Sequence, residues 1–335
     1  MFDCHMHYSE DLDPERFLRV LDLYGYDGAA LQCICKGNRR MTVEDALAFR
    51  DLCGRRKPSC EIRVFGGMDP AVYTRSDPEK ISEGLISCLN RRLAQGCDGI
   101  KLLEGKPNIR KMFRVPDFDG AVWENFWQEA EQKHVPVVMH VNDPEEFWTG
   151  DPAASPEEIA FRKHSGWLYD DTYPNNEDQY AQICRVLEKH PGLKILFPHF
   201  FFMARQLDRL AELLERYPRM MIDVTPGVEL FLQLSDRIGD ARLFFERFQD
   251  RICYGTDIGS RQVIREEDAP LNPEETESRI RLVQGFLFSD RPYRLMPDAY
   301  YRGPEEKQMQ PLCLSDGQRR KITDDNFRRF LARDS

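Results

Sequence analysis

From end to end, short apolar runs rich in β-formers alternate with longer amphipathic segments, and eight repeats of that unit leave few folds open. The expected strands cover 2–7, 29–34, 62–66, 99–103, 135–141, 193–199, 220–224 and 252–257. Helix-start signals fall between them: Pro14 as a first-turn proline with Gly25 closing that helix, Thr42 with Asp45 three residues on, and Asp77 before Pro78. Right-handed β-α units close either as an open doubly wound sheet or as an eightfold barrel, and a count of eight favours the barrel. No glycine-rich phosphate loop follows the first strand, which argues against a dinucleotide-binding sheet. The expected fold is therefore α/β, a (β/α)8 TIM barrel. At 335 residues the chain exceeds the ~250 of a plain barrel, and the surplus sits in two places.

The first is residues 142–175, where the alternation stops in favour of Pro, Asp, Trp and Tyr, with a small helix expected around Pro156 to Lys163. A stretch of this length inside a compact fold reads as a lid-like insertion after strand five. The second is a C-terminal extension over 289–335, a proline- and tyrosine-rich segment followed by a helix from Ser315 to Leu331. The segment is expected over the barrel mouth or at a subunit contact. The whole of 1–335 is read as one barrel domain.

Composition narrows the class of partner. With 41% hydrophobic residues there is ample material for a core, and no apolar run approaches the ~18 residues a membrane span needs. A net charge of −10 disfavours nucleic acid, whose phosphates require basic patches. The ten cysteines lack zinc-ribbon spacing, and in an intracellular chain they read as small buried apolar residues. No signal-type segment precedes the first strand, so the expected location is the cytoplasm.

The chemistry-bearing residues sit at strand ends. His5 and His7 are one residue apart on strand one, so their rings share a face while Cys4 and Met6 point the other way. His140 ends strand five, His199 strand six and Asp257 strand eight. Barrel active sites lie at the C-terminal ends of the strands, where imidazole and carboxylate groups arranged in this way can hold a divalent ion. Singly each residue also fits a satisfied core or loop position; jointly they point to a metal site.

The ordered set Asp3-Cys4-His5-Met6-His7, Gly99-Ile100-Lys101-Leu102, Met139-His140-Val141, Pro198-His199, Met221-Ile222-Asp223, Gly255-Thr256-Asp257 and Ile322–Phe330 resembles the amidohydrolase superfamily. The resemblance is to the amidohydrolase-related branch that includes aminocarboxymuconate semialdehyde decarboxylase, and it covers nearly the whole chain. It implies that His5, His7, His140 and Asp257 bind one divalent metal, zinc first and manganese second, with Asp257 also accepting a proton. It implies that His199 orients or deprotonates a water, or meets a developing oxyanion. Lys101 matches the lysine that becomes a carbamate bridge in binuclear relatives, with His199 then a second-metal ligand; otherwise Lys101 pairs a substrate carboxylate or Glu104. Family members usually carry a glycine soon after the strand-six histidine, where this chain has Phe200-Phe201-Phe202. A narrower, more apolar pocket follows.

Asp223 reads as a buttress of the site, a substrate contact or a helix cap. Arg261 is placed to meet an anionic substrate. Trp148, Arg162, His164, Trp167 and Tyr169 are insertion residues that either contact substrate or hold the insertion together. The implied activity is hydrolysis of a small-molecule amide, lactone or ester; the alternative, using the same residues, is non-oxidative decarboxylation of an aromatic or unsaturated acid. A TatD-like deoxyribonuclease also starts with two such histidines, but it carries glutamate where Lys101 stands. A catalytically silent barrel would be expected to have lost a ligand, and none is missing. Barrels of this branch are often dimers, so a homodimer is the assembly to test.

Overall fold

The computed structural model describes residues 1–9, 12–36, 39–40, 42–149, 156–164, 166–259, 273–301 and 305–332. Its centre is a parallel sheet of eight strands in sequential order: β1 (Phe2–Met6), β2 (Gly28–Gln32), β3 (Glu61–Gly67), β4 (Gly99–Gly105), β5 (Val137–Val141), β6 (Ile195–Phe197), β7 (Met220–Asp223) and β8 (Ile252–Cys253). The ring is completed by backbone bonds between β1 and the chain at and beyond β8, from Cys4 N to Tyr254 O (2.9 Å) and from Asp257 N to His5 O (2.8 Å). This is a (β/α)8 barrel.

A helix follows each strand: α1 (Pro14–Leu23), α2 (Val43–Arg56), α3 (Pro78–Ala94), α4 (Ala121–Gln132), α5 (Asn176–Lys189), α6 (Leu207–Arg216), α7 (Ile238–Arg247) and α8 (Pro273–Phe288). Several of their starts are set by side chains that satisfy free backbone donors. Asp13 accepts from Glu15 N, Thr42 from Asp45 N and Asp77 from Glu79 N. No helix among the described residues is long and apolar enough to cross a membrane.

Three differences from the sequence expectation have local causes. Strand β6 ends at Phe197 because Pro198 has no N–H to give the ladder. Strand β8 stops at Cys253, after which Tyr254 N bonds Ile322 O instead of a sheet neighbour. The single helix expected from 229 to 248 is two, Val228–Asp236 and α7. Arg237 leaves helical dihedrals between them (φ −116°, ψ 42°) and its guanidinium bonds Arg205 O and Asp240.

Inside the barrel, Phe2, Cys4, Phe65, Leu196 and Cys253 pack on Phe327 and Phe330 of the C-terminal helix. That helix closes the N-terminal end of the barrel. Asn326 Nδ2 donates to Gln249 O and Ile252 O, both at 2.7 Å. The preceding segment includes an antiparallel pair, β9 (Tyr293–Leu295) and β10 (Lys307–Met309), and reaches the opposite end through Tyr300, whose hydroxyl donates to Pro226 O at 2.9 Å. The extension thus touches both ends of the barrel.

Candidate metal centre and active site

The rings of His5 and His7 are almost wholly buried and meet at one point, but β1 is irregular between Asp3 and Met6, so Cys4, expected on the opposite face, packs inside the barrel as well. Each ring is fixed from behind. His5 Nδ1 lies 3.1 Å from Asp223 Oδ2, and His7 Nδ1 lies 2.7 Å from the Gln32 carbonyl. An acceptor-only group opposite Nδ1 requires that nitrogen to carry the proton, which leaves Nε2 of a neutral ring as a lone pair. Asp257 Oδ1 faces both lone pairs, 3.0 Å from His7 Nε2 and 3.7 Å from His5 Nε2. Two imidazole nitrogens and a carboxylate oxygen, all within 4.8 Å of one another, repel unless a cation sits among them. The donor set therefore fits a divalent metal.

Asp257 reaches this point by a left-handed backbone (φ 57°), and Gly259 behind it also has positive φ (83°). A Cβ at Gly259 would come within 2.2 Å of His7 O, so the loop can close on β1 only with glycine there. The outer oxygen of Asp257 is taken by Arg279 of α8, at 3.0 Å. Arg279 is itself held by Glu275 Oε1 (2.9 Å) and lies over the Tyr300 ring (4.2 Å). Burial pushes the Asp257 carboxyl up, but its charged neighbours, the Arg279 guanidinium among them, outweigh burial and hold the group well below the usual carboxylate range.

Asp223 is completely buried and serves scaffolding partners: His5 Nδ1, His199 N (2.9 Å) and Thr225 N (2.9 Å). Lys101 lies inside the barrel with Nζ 3.4 Å from His5 Nε2, and burial lowers its ammonium to about 8. Burial also pushes Glu104 up to about 7.

The rings of His140 and His199 stack edge to face 5.0 Å apart, and His199 lies 5.7 Å from His5. The structure brings both beside the cluster, although neither belongs to its tight three-atom focus. His140 Nε2 is turned to Asn142 O (2.8 Å) and Asp143 Oδ1 (3.3 Å). Burial lowers the basicity of His5, His140 and His199 alike, so these imidazoles are neutral at pH 7.

After β6 the chain makes a left-handed turn in which His199, Phe200, Phe201 and Phe202 all have φ between 54° and 57°. This costs roughly 1–2 kcal/mol for each non-glycine residue. Ring packing offsets it: Phe201 stacks on Phe197 (4.2 Å), Phe200 on Phe245 (5.7 Å), and Phe202 on His199 itself (5.1 Å). A pocket opens beside His199, lined by Pro144, Glu146, Phe202, Arg205, Glu229 and Gln233 among others. Within it Glu146 pairs with Arg205 at 2.7 Å and accepts from Gln233 at 3.0 Å.

The insertion residues hold one another. The Trp148 indole donates to Pro174 O (3.2 Å) and packs on Tyr169 (4.7 Å), Trp167 stacks on Phe147 (5.7 Å), the Arg162 guanidinium lies over Phe147 (5.2 Å), and His164 is exposed. Arg261 lies outside the described residues. Sequence reasoning missed Arg279 and Asp143. Arg279 has the i,i+4 spacing to Glu275 of any solvated helix pair, and the signal that could have found it is its place on one helix face with Val283 and Phe286.

Fold and cluster together define a β/α-barrel enzyme of the metal-dependent kind. The amidohydrolase family model matches residues 62–333, and the chain belongs to that family, whose members include hydrolases and carboxy-lyases that use a divalent metal. The match begins after β1, so His5 and His7 rest on the geometry above. No curated protein matches the chain. Among solved structures it is similar to an amidohydrolase II (16% identity, 98% of this chain and 99% of that one, TM-score 0.56). It is also similar to a dihydroxybenzoic acid decarboxylase from Polaromonas sp. JS666 with bound manganese and 2-nitroresorcinol (15%, 98% and 96%, 0.52). A third is a probable 2-pyrone-4,6-dicarboxylic acid hydrolase from Acinetobacter baumannii with citric acid bound (13%, 98% and 98%, 0.50). At these identities the likeness is one of fold.

Proposed function

We propose that this chain is a metal-dependent hydrolase of a small-molecule amide, lactone or ester, with one ion held by His5, His7 and Asp257 and with His140 completing the set. The observation that carries this reading is the single focus shared by His5 Nε2, His7 Nε2 and Asp257 Oδ1, with the neutral ring of His199 beside it. One such focus among the described residues supports one ion over a pair bridged at Lys101. Two nitrogens and an oxygen suit zinc, with manganese the second choice. A bound ion of this kind supplies Lewis acidity and a water acidified towards ~7.

The protein's own groups supply the rest. His199 is placed to give or take the proton at the reacting carbonyl, its neutral ring being competent for either after one transfer. Asp223 fixes the approach of His199 through its backbone N–H. Phe202 gives the pocket beside His199 an apolar wall, against which its ring stacks on that of His199. The partner is a small molecule; the charge of −10 argues against a polyanion. A cytoplasmic homodimer remains part of the proposal.

Decarboxylation is the second reading, and the Arg279–Asp257 ion pair favours it. A carboxylate whose outer oxygen already holds a guanidinium is a poor proton acceptor, and hydrolysis asks more of such an acceptor than decarboxylation does. The zinc-loaded and manganese-loaded protein should be assayed against lactones, esters, amides and hydroxylated aromatic acids in ¹⁸O-water and in D₂O. Hydrolysis puts ¹⁸O into a product carboxyl; decarboxylation puts deuterium on the product carbon. Turnover of aromatic acids alone, with deuterium on carbon, overturns the hydrolase reading in favour of the second.

A further inference from the structure

Beyond β5 the chain turns back on the ring it has just placed. Asn142 has positive φ (68°), which swings its carbonyl and the Asp143 side chain towards His140. A carbonyl oxygen only accepts, so His140 Nε2 carries the ring proton and donates it, and in the neutral ring Nδ1 is the lone pair. Asp143 is almost wholly buried and meets three donors from three parts of the fold. His140 Nε2 comes from β5, the Lys106 ammonium from the end of β4, and the Tyr169 hydroxyl from the far side of the insertion. Tyr169 is anchored by its own N–H to Phe147 O (2.7 Å) and by the Trp148 and Tyr173 rings, and Lys106 Nζ lies 5.4 Å from the Trp167 ring centre. The aromatic residues of the insertion thus converge on one carboxylate, and that carboxylate touches His140.

From this arrangement we infer that Asp143 is a positioning residue for His140, and that Tyr169 and Lys106 hold Asp143 so that His140 offers Nδ1, and not Nε2, to the metal. The insertion is then a strap that sets a ligand's tautomer. A strap differs from a free lid in what it controls: loosening it weakens metal binding before it changes substrate access. An acceptor behind a ligating imidazole raises the ring's basicity and fixes its orientation, and its loss costs ~10–100-fold in metal affinity.

The inference rests on the metal-site reading, and its test separates the two. Wild type, Asp143→Asn, Tyr169→Phe and Lys106→Met are titrated with Zn²⁺ against a chromophoric chelator. The zinc-loaded proteins, with ¹⁵N-labelled histidine, are then examined by NMR for the ring nitrogen that carries the proton. The expected result is zinc binding weakened ~10–100-fold in Asp143→Asn and by a smaller factor in Tyr169→Phe, with His140 protonated at Nε2 in wild type. Lys106→Arg should restore what Lys106→Met loses. Tyr169→Phe keeps the ring and its packing, so a change in affinity without a change in melting temperature marks positioning and not loss of fold. Zinc affinity of Asp143→Asn and Tyr169→Phe equal to wild type, or a wild-type His140 protonated at Nδ1, overturns the inference while leaving the metal site standing. A wild type that binds no zinc removes both.

Discussion

At the scale of single residues, the site assigns different work to imidazoles that look alike in sequence. His5 and His7 present Nε2 because Asp223 and the Gln32 carbonyl hold their Nδ1 protons. His199 has its ring against Phe202 and the Thr225 carbonyl (3.3 Å from Nδ1), outside the metal focus. His199→Asn should therefore keep stoichiometric metal and lose ~10²–10⁴ in kcat, the usual yield of a positioned acid-base group. Metal analysis beside steady-state kinetics checks this, and loss of the ion would make His199 a ligand. The strand-end histidines and Asp257 were legible in sequence because the barrel rule converts position along a strand into convergence at one face. Asp143 and Arg279 were not, since their partners lie in segments that only the closed barrel brings near.

At the scale of elements, the turn from His199 to Phe202 shows how a local conformational cost is carried by packing. Phe200 sits at φ 56° with its ring fully buried against Phe244 and Phe245. Phe200→Gly would relieve ~1–2 kcal/mol of left-handed strain and forfeit ~3–5 kcal/mol of buried ring. A net loss of ~1–4 kcal/mol in urea unfolding is expected; a gain in stability would mean the rings contribute little there. Sequence marked this turn through its missing glycine, yet it did not show that aromatic stacking replaces glycine's freedom. The eight strands were readable from periodicity, whereas the ends of β6 and β8 depend on which neighbour each N–H finds. The break at Arg237 likewise turns on a long-range bond to Arg205 O.

At the scale of the whole molecule, the barrel's interior sets the protonation of its own site. Burial holds His5 and His140 below the ordinary imidazole value of 6.5 in the folded, metal-free chain. Protons therefore begin to compete for these nitrogens only below that value. Release of zinc on acidification, followed with a fluorescent indicator, should have its midpoint below pH 6.5; a midpoint above 7 would mean the rings are solvated. The lower end of the barrel is closed by Phe327, whose ring lies 5.1 Å from Phe2 and is 1% exposed. Phe327→Ala should cost ~3–5 kcal/mol of stability in urea unfolding while leaving metal affinity unchanged, because the plug and the site occupy opposite ends. Weaker zinc binding in a folded Phe327→Ala would show the two ends to be coupled. Sequence placed the C-terminal helix but could not tell that it seals the barrel, since Phe327 and Phe330 have the spacing of any amphipathic helix.

The central claim is a metal focus built by His5, His7 and Asp257. It is tested most directly by elemental mass spectrometry of the untagged protein after zinc reconstitution, with anomalous diffraction to place the ion and His5→Ala/His7→Ala as the control. The account predicts one ion per chain between these three side chains and none in the double variant, whose circular dichroism matches wild type. Stoichiometric metal retained by the double variant, or an ion located elsewhere, would contradict it.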